Sequence, residues 1–132
     1  MFKITPVQDP SVAREYAALC NIEIREGAFI YAMTDVETGN LMGMSQFEIM
    51  GEYGYIYNLS EAPGLNDFEA MFILGRQTMN FIDLCGAHLC RADKHASRAE
   101  LLKAIGFKES ADTYLACDMS GMFDGSHCSG GH

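Results

Sequence analysis

The hydrophobic pattern at the start of the chain changes from a strand period to a helix period. Residues 2–7 alternate apolar and polar side chains, which is typical of a half-buried strand. Asp9 and Pro10 then stand at the N-cap and the first position of a predicted helix, where the missing N–H of proline costs nothing. The pattern predicts that this helix runs to about Asn21.

Three segments with a strand pattern follow, separated by two short stretches rich in Gly, Asp and Asn. These stretches, DVETGN and GEYG, carry the residue types that hairpin turns require. The predicted strands are residues 28–34, 41–50 and 55–60. Because strands joined by tight turns pair antiparallel, the segment predicts an antiparallel meander.

A long helix is predicted after the meander. Gly64 ends the last strand, and Asn66 with Glu69 three residues later resembles a capping box. Apolar residues then keep the spacing of a buried helical stripe as far as Cys85, and Gly86 provides the stop. Gly75, in the middle of this stripe, indicates close packing against the sheet.

The last part of the domain pattern alternates strand, helix and strand. Residues 87–93 predict a strand parallel to the one before the long helix. Ser97 and Glu100 resemble a second capping box for a short helix. Two terminal strands, at residues 107–109 and 113–119, would close the sheet.

These elements predict a single α/β domain, of the α+β kind, at residues 2–119. Its mixed central sheet would hold six or seven strands, with helices on both faces. Residues 120–132 are rich in Gly, Ser, His and Cys and are predicted to form a tail. A chain of 132 residues, 48% of them hydrophobic, has enough apolar material for one core without metal or disulfide support.

The composition limits the cellular location and the classes of partner that we expect. The apolar runs are shorter than the roughly 18 residues of a membrane span, and the N-terminus has no signal-peptide core, so a cytoplasmic location without a membrane is expected. The five cysteines are odd in number and include no CxxC pair, which predicts reduced thiols. Nine basic against 18 acidic residues give a net charge of -9, which disfavours a nucleic-acid partner.

The order of elements and one late segment resemble a known family. The segment HASRAELLKAIGF, residues 95–107, is similar to the late helix of the GNAT superfamily of acyl-CoA N-acyltransferases, and His95 stands where that family commonly has Asn. The resemblance covers residues 2–119. It implies an N-acetyltransferase that moves an acyl group from acetyl-CoA to a small-molecule or peptide amine, and the acidic surface would favour a cationic amine.

The cofactor loop departs from the family pattern, so the chain resembles a divergent small member. In the family, the long helix points its N-terminus at the pyrophosphate of coenzyme A, after a Gly-rich loop that carries Arg. The corresponding loop here, SEAPGLNDFEA, has no Arg and keeps only Gly64. Asp67 and Glu69 place two carboxylates where a phosphate would bind, which predicts a degenerate pyrophosphate site.

The resemblance also implies site residues. Those implied to bind the cofactor are Leu59, Ser60, Asn66, Asp67, Phe68 and His95. Leu102 takes the register of the family's acid tyrosine, so Tyr57 and Tyr114 are the substitute acids. Glu61 is the predicted general base, with Glu48 as an alternative.

Two other functions remain open at this level. A non-catalytic GNAT-fold binding module that has lost CoA chemistry would explain the acidic loop and Leu102. Metal handling by His127, Cys128 and His132 is the weaker alternative, because three ligands are one short of a closed tetrahedral site, and no metal is predicted. A homodimer is left open as well.

Overall fold

The computed structural model describes residues 1–123, which form seven strands and three helices. In chain order they are β1 (Phe2–Pro6), α1 (Pro10–Cys20), β2 (Phe29–Asp35), β3 (Leu41–Met50), β4 (Tyr53–Glu61), α2 (Phe68–Leu84), β5 (Leu89–Asp93), α3 (Ala99–Ile105), β6 (Lys108–Glu109) and β7 (Tyr114–Asp118). The predicted tail residues His127, Cys128 and His132 lie outside the described residues.

All seven strands form one mixed sheet in the order β1-β2-β3-β4-β5-β7-β6. The strands β1 to β4 pair antiparallel, as do β5, β7 and β6, whereas β4 and β5 pair parallel. Helix α2 is the crossover between the two parallel strands. The predicted meander, parallel strand and terminal strands are therefore confirmed.

Helices cover both faces of the sheet, as predicted. On one face, Ala13 and Ala17 of α1 pack against Met44 of β3 in a small apolar cluster. On the other face, α2 and α3 form the main core with the sheet, and Leu74 and Leu102 are fully buried there. Helix α1 packs against β2 and β3 and reaches β4 only near its own end, where the Cys20 thiol lies 3.9 Å from the Ser60 carbonyl oxygen. Within residues 1–123 no other helix packs on this face, so its part towards β5 and β7 is an open sheet face.

Glycine allows two close contacts between α2 and its neighbours. A Cβ atom at Gly75 would lie 2.8 Å from Cδ1 of Ile105 and 3.1 Å from Cδ2 of Leu59, so the predicted close packing at Gly75 is confirmed. A Cβ atom at Gly54 would lie 2.5 Å from Cγ2 of Ile82. Both glycines are buried, so α2 lies closer to the sheet than a side chain would permit.

Both predicted capping boxes are wrong. The N-cap of α2 is Asp67 rather than Asn66, because the Asp67 side chain accepts a hydrogen bond from the Ala70 N–H at 3.0 Å. The N-cap of α3 is Arg98 rather than Ser97, and its side chain makes no capping hydrogen bond. In both cases the helix begins one residue later than the sequence pattern indicated.

Four of the five cysteines lie within residues 1–123, and all four are free thiols, as predicted. Cys90 and Cys117 are buried, Cys20 is partly buried and Cys85 is exposed. Within the same residues, no helix is both long enough and apolar enough to cross a bilayer.

Candidate functional site

The two parallel strands β4 and β5 separate halfway along β4. Their pairing covers Tyr53 to Ile56 of β4, whereas β4 continues to Glu61. A bulge marks the point of separation, because Gln46 of β3 pairs with Asn58 and the next residue of β3 pairs with Ile56. Tyr57 is therefore the extra residue of the bulge, and it stands where the split between the strands begins.

The segment after β5, residues 94–98, fills the split. The N–H of Leu59 donates to the Ala96 carbonyl oxygen at 2.8 Å. Two residues further along β4, the Arg98 guanidinium pairs with the Glu61 carboxylate at 3.2 Å. The hydrogen-bonding groups that the split would expose on β4 are thus partly paired with the segment after β5.

A polar cleft of about 370 Å³ opens at the start of the split. Its lining combines the bulge, the end of β5 and the loop after α1, and consists of Glu23, Ile24, Arg25, Tyr57, Asn58, Asp93 and His95. This volume lies within the range of small-molecule sites, about 300–1,000 Å³. The backbone N–H of His95 donates to the Asp93 carboxylate at 2.9 Å, which fixes the turn on this side of the cleft.

Tyr57 is the aromatic side chain of the cleft, and both its ring and its hydroxyl are engaged. The hydroxyl donates to a Glu48 carboxylate oxygen at 2.7 Å. The Arg25 guanidinium carbon lies 3.8 Å from the centre of the ring. Burial raises the pKa of Tyr57 to about 12, with further contributions from the hydrogen bond to Glu48 and its negative charge. The phenol therefore stays protonated at neutral pH.

Gln46 holds the loop after α1 over the cleft. Its side chain is fully buried and makes three hydrogen bonds. The amide oxygen accepts from the Arg25 N–H at 2.7 Å, and the amide nitrogen donates to the Glu23 carbonyl at 2.9 Å and to the Asn58 side chain at 2.8 Å. One side chain of β3 thus fixes both the loop and the bulge of β4.

An aromatic row extends from Tyr57 across the same face of the sheet. The Tyr55 ring lies 4.9 Å from that of Tyr57 and 6.3 Å from that of Tyr114, measured between ring centres. The Arg91 guanidinium carbon lies 4.1 Å from the centre of the Tyr53 ring and 4.6 Å from that of Tyr114. Tyr114 therefore follows Tyr55 in this row and is not among the residues that line the cleft.

The N-terminus of α2 is surrounded by three carboxylates and one cation. Glu61 accepts a hydrogen bond from the Asp67 N–H at 2.9 Å and pairs with Arg98. Asp67 caps the helix, and Glu69 stands in its first turn. Within residues 1–123 the N–H groups of Phe68 and Glu69 make no hydrogen bond, so two first-turn donors remain open.

The predicted site residues thus fall into separate groups. Tyr57 and His95 come together in the cleft. Glu61, Asn66, Asp67 and Phe68 lie at or just before the start of α2. Leu59 and Ser60 lie between the two groups on β4, Leu59 fully buried. Tyr114 lies outside the cleft lining.

Arg25, Asp93 and Arg98 are functional-site residues that the sequence pattern did not predict. The cleft takes Arg25 from the loop after α1 and Asp93 from the end of β5. Arg98 supplies the cation that the loop before α2 lacks, although 37 residues separate it from Glu61. The position of a polar residue at the carboxyl end of a parallel strand was a usable signal for Asp93. Nothing in the local pattern indicated the other two.

Within residues 1–123 no three His, Cys, Asp or Glu side chains are grouped so that they could hold a metal ion.

Neither a family model nor a curated protein matches the sequence. Solved structures do match the fold. The ribosomal-protein-S18-alanine N-acetyltransferase of Escherichia coli matches with a TM-score of 0.72 at 13% identity, over 90% of this chain and 94% of that one. The IAA acetyltransferase of Bacillus cereus matches with a TM-score of 0.74 at 13% identity, over 89% and 99% of the two chains.

A third match was solved with the cofactor. It is the N-acetylglutamate synthase of Neisseria gonorrhoeae, complexed with coenzyme A and N-acetyl-glutamate, with a TM-score of 0.73 at 13% identity. This match covers 90% of the present chain and 35% of the synthase. The chain therefore has the GNAT fold, which confirms the fold that the resemblance implied.

Proposed function

We propose that this protein is an N-acetyltransferase that moves an acyl group from acetyl-CoA to an amine. The observation that carries the proposal is the split between β4 and β5, with a polar cleft and Tyr57 at its start, in a chain with the GNAT fold. The structural neighbours named above are acetyltransferases or bind coenzyme A, which supports the reaction class.

The start of α2 fits a weakly held pyrophosphate. The open N–H groups of Phe68 and Glu69 and the guanidinium of Arg98 would hold it, since amides at a helix N-terminus and arginine both bind phosphate. Asp67 and Glu69 oppose this with two negative charges, and Arg98 is already paired with Glu61. Acetyl-CoA would supply an activated acyl group as a thioester, and the remaining steps depend on this chain's own residues.

The cleft would bind the acceptor amine. Glu23 and Asp93 are two acidic residues of its lining, and the protein's net charge of -9 would attract a cation to it. A volume of about 370 Å³ suits a small-molecule amine or one side chain of a peptide.

Tyr57 and Glu48 would remove the proton that the amine loses during acyl transfer. The amine nitrogen forms a bond to the acyl carbon, the carbon–sulfur bond breaks, and the sulfur leaves with the electron pair. The amine proton passes to the Tyr57 oxygen as the Tyr57 proton passes to Glu48, 2.7 Å away. Because burial keeps the phenol protonated, Tyr57 relays a proton and does not act as a phenolate base.

The test is acetyl transfer measured by mass spectrometry of the product. The wild type would be incubated with acetyl-CoA and a set of amines that includes putrescine and a lysine-containing peptide. We expect Tyr57→Phe to lower kcat by about a hundredfold. The matched control is Tyr53→Phe, on the same strand but outside the cleft lining, which should keep the wild-type rate. No product from any amine, or equal rates for the two variants, would contradict the proposal.

A second candidate is a binding module without turnover. Three observations favour it: the carboxylates at the start of α2, the hydrogen bond that already engages the Leu59 N–H with Ala96, and the full burial of Leu102. Under this alternative, calorimetry would detect a ligand in the cleft and no binding of acetyl-CoA.

A further inference from the structure

Two arginines stack on tyrosine rings of the open sheet face, and neither forms an ion pair within residues 1–123. Arg25 lies over Tyr57, and Arg91 lies over Tyr53. The chain has 18 acidic residues for nine basic ones, so carboxylate partners are abundant. Two guanidinium groups that stack on rings instead are available to a ligand anion.

Arg25 differs from Arg91 because it lines the cleft. Its backbone N–H is held by the fully buried side chain of Gln46, which also binds the carbonyl of Glu23. Its guanidinium carbon lies 3.8 Å from the centre of the Tyr57 ring, and a guanidinium in such a contact can still donate from its N–H groups to a carboxylate. The hydrogen bond to the backbone and the contact of the side chain with Tyr57 both lower the entropy that is lost when an anion binds.

The cleft carries both signs of charge. Its lining takes Arg25 and Glu23 from the loop after α1 and Asp93 from the end of β5. A ligand that matches this arrangement has one anionic and one cationic group. The volume of about 370 Å³ suits a molecule the size of a single amino acid.

We propose that Arg25 binds a carboxylate of the acceptor, and that the acceptor is a free amino acid whose ammonium group faces Asp93. This rests on the proposed function for the role of acceptor, but the binding itself does not require coenzyme A. Carboxylate recognition by a planar guanidinium is bidentate and directional, so it would orient the amine in the cleft as well as hold it. Arg25 would then determine acceptor specificity without taking part in proton transfer.

The experiment measures binding in the absence of coenzyme A. The proteinogenic amino acids would be screened by ligand-observed NMR at about 10 mM, a concentration that detects millimolar affinity. Each amino acid that binds would be titrated beside its C-terminal amide, which keeps the ammonium and the side chain but lacks the carboxylate. We expect the amide to bind about tenfold more weakly or worse.

The variants isolate the guanidinium. Arg25→Gln should lower affinity for the amino acid about tenfold and leave affinity for its amide unchanged. Arg25→Lys keeps the charge without the planar fork and should show a smaller loss. The matched control is Arg91→Gln, which removes another arginine that lies over tyrosine rings but outside the cleft lining, and it should change neither affinity.

Three outcomes would overturn the inference: no amino acid binds, the amide binds as tightly as its amino acid, or Arg25→Gln behaves like Arg91→Gln. The acetyl-transfer assay separates this result from the proposed function. Amino acids that bind while no amine of the set is acetylated would contradict the transferase and leave the carboxylate site in place. Acetylation of amines with no preference for a carboxylate would support the transferase and contradict the carboxylate site.

Discussion

The Glu61 carboxylate accepts a hydrogen bond from the Asp67 N–H at 2.9 Å, so the end of β4 is tied directly to the N-cap of α2. The same carboxylate pairs with Arg98 at 3.2 Å. The predicted general base is therefore engaged on both oxygens. This arrangement gives Glu61 a measurable structural role, independent of any activity.

Glu61→Ala should destabilise the fold by about 1–2 kcal/mol, because it removes a capping-type hydrogen bond and the partner of Arg98. Glu61→Gln keeps an acceptor oxygen for Asp67 and should cost less. Chemical denaturation measures both changes. The control is Glu52→Ala, an exposed carboxylate in the β3–β4 turn, which should stay within about 0.5 kcal/mol of the wild type. A neutral Glu61→Ala would show that the contact contributes nothing.

Tyr57 should make stability fall at high pH. Burial and the bond to Glu48 raise its pKa from 10 to about 12, so the folded state favours the protonated phenol. That stabilisation is complete below pH 10 and is lost as the pH rises from 10 to about 12. The pKa values of Tyr31 and Tyr55 are also raised, so the effect of Tyr57 must be isolated by comparing the wild type with Tyr57→Phe. The difference in unfolding free energy between wild type and variant should shrink with pH, and a constant difference would contradict the assignment.

Gln46→Glu should be destabilising although it changes only one group. The new oxygen cannot donate to the Glu23 carbonyl or to Asn58, and a charge would be buried at a position with no exposure. We expect a loss of about 2–4 kcal/mol in unfolding free energy. Gln77→Glu, at an exposed position of α2, is the matched control and should change stability little. Equal effects at the two positions would show that the Gln46 hydrogen bonds are dispensable.

The elements of the fold follow from local pattern, whereas the site depends on long-range contacts. Strand alternation and helical stripes depend on neighbouring residues, so element order, the meander and the close packing at Gly75 were predictable. The helix starts were not, because Asn66 and Asp67 are both good N-caps and the choice between them depends on tertiary contacts. Glu61 bonds the N–H of Asp67 and favours the later start.

The same limit applies to the cleft. The strand position of Tyr57 is predictable from the sequence, but the bulge there requires a register shift against β3 that no single-strand pattern reveals. The side-chain amide of Gln46 donates to Glu23, which lies 23 positions earlier in the chain, and to Asn58, which lies 12 positions later. A buried glutamine in a strand was the available signal for them, since a buried amide must be hydrogen-bonded.

Gly54→Ala should be destabilising through a contact with a single side chain. The added Cβ would lie 2.5 Å from Cγ2 and 2.8 Å from Cδ1 of Ile82, and overpacking of this kind costs about 1–3 kcal/mol. Ile82→Ala removes both atoms, so the double variant should lose less stability than the sum of the two single variants. Gly54→Ala combined with Ile73→Ala, an exposed position of α2, should be additive. Additive behaviour of the Ile82 pair would contradict the contact.

Acetyl-CoA binding tests whether the carboxylates at α2 oppose the cofactor. We expect the wild type to bind with a Kd on the order of 0.1 mM or weaker, because Asp67 and Glu69 offset the attraction of the helix N-terminus for phosphate. Asp67→Asn/Glu69→Gln removes both charges, and asparagine remains a good N-cap, so the helix should persist. The double variant should bind about tenfold more tightly, as measured by calorimetric titration.

The dependence of acetyl-CoA binding on salt concentration separates the effect of charge from other effects of the same substitutions. The gain should be large at about 0.05 M salt and small at about 1 M, where the screening length falls to about 3 Å. Glu52→Gln/Asp118→Asn, which neutralises two exposed carboxylates at the opposite end of the sheet, is the matched control and should bind like the wild type. Asp118, like Asp67, accepts a backbone hydrogen bond that asparagine retains. Low micromolar binding by the wild type, or a double variant that binds no better, would show that these carboxylates do not oppose the cofactor, and the binding-module alternative would lose its main support.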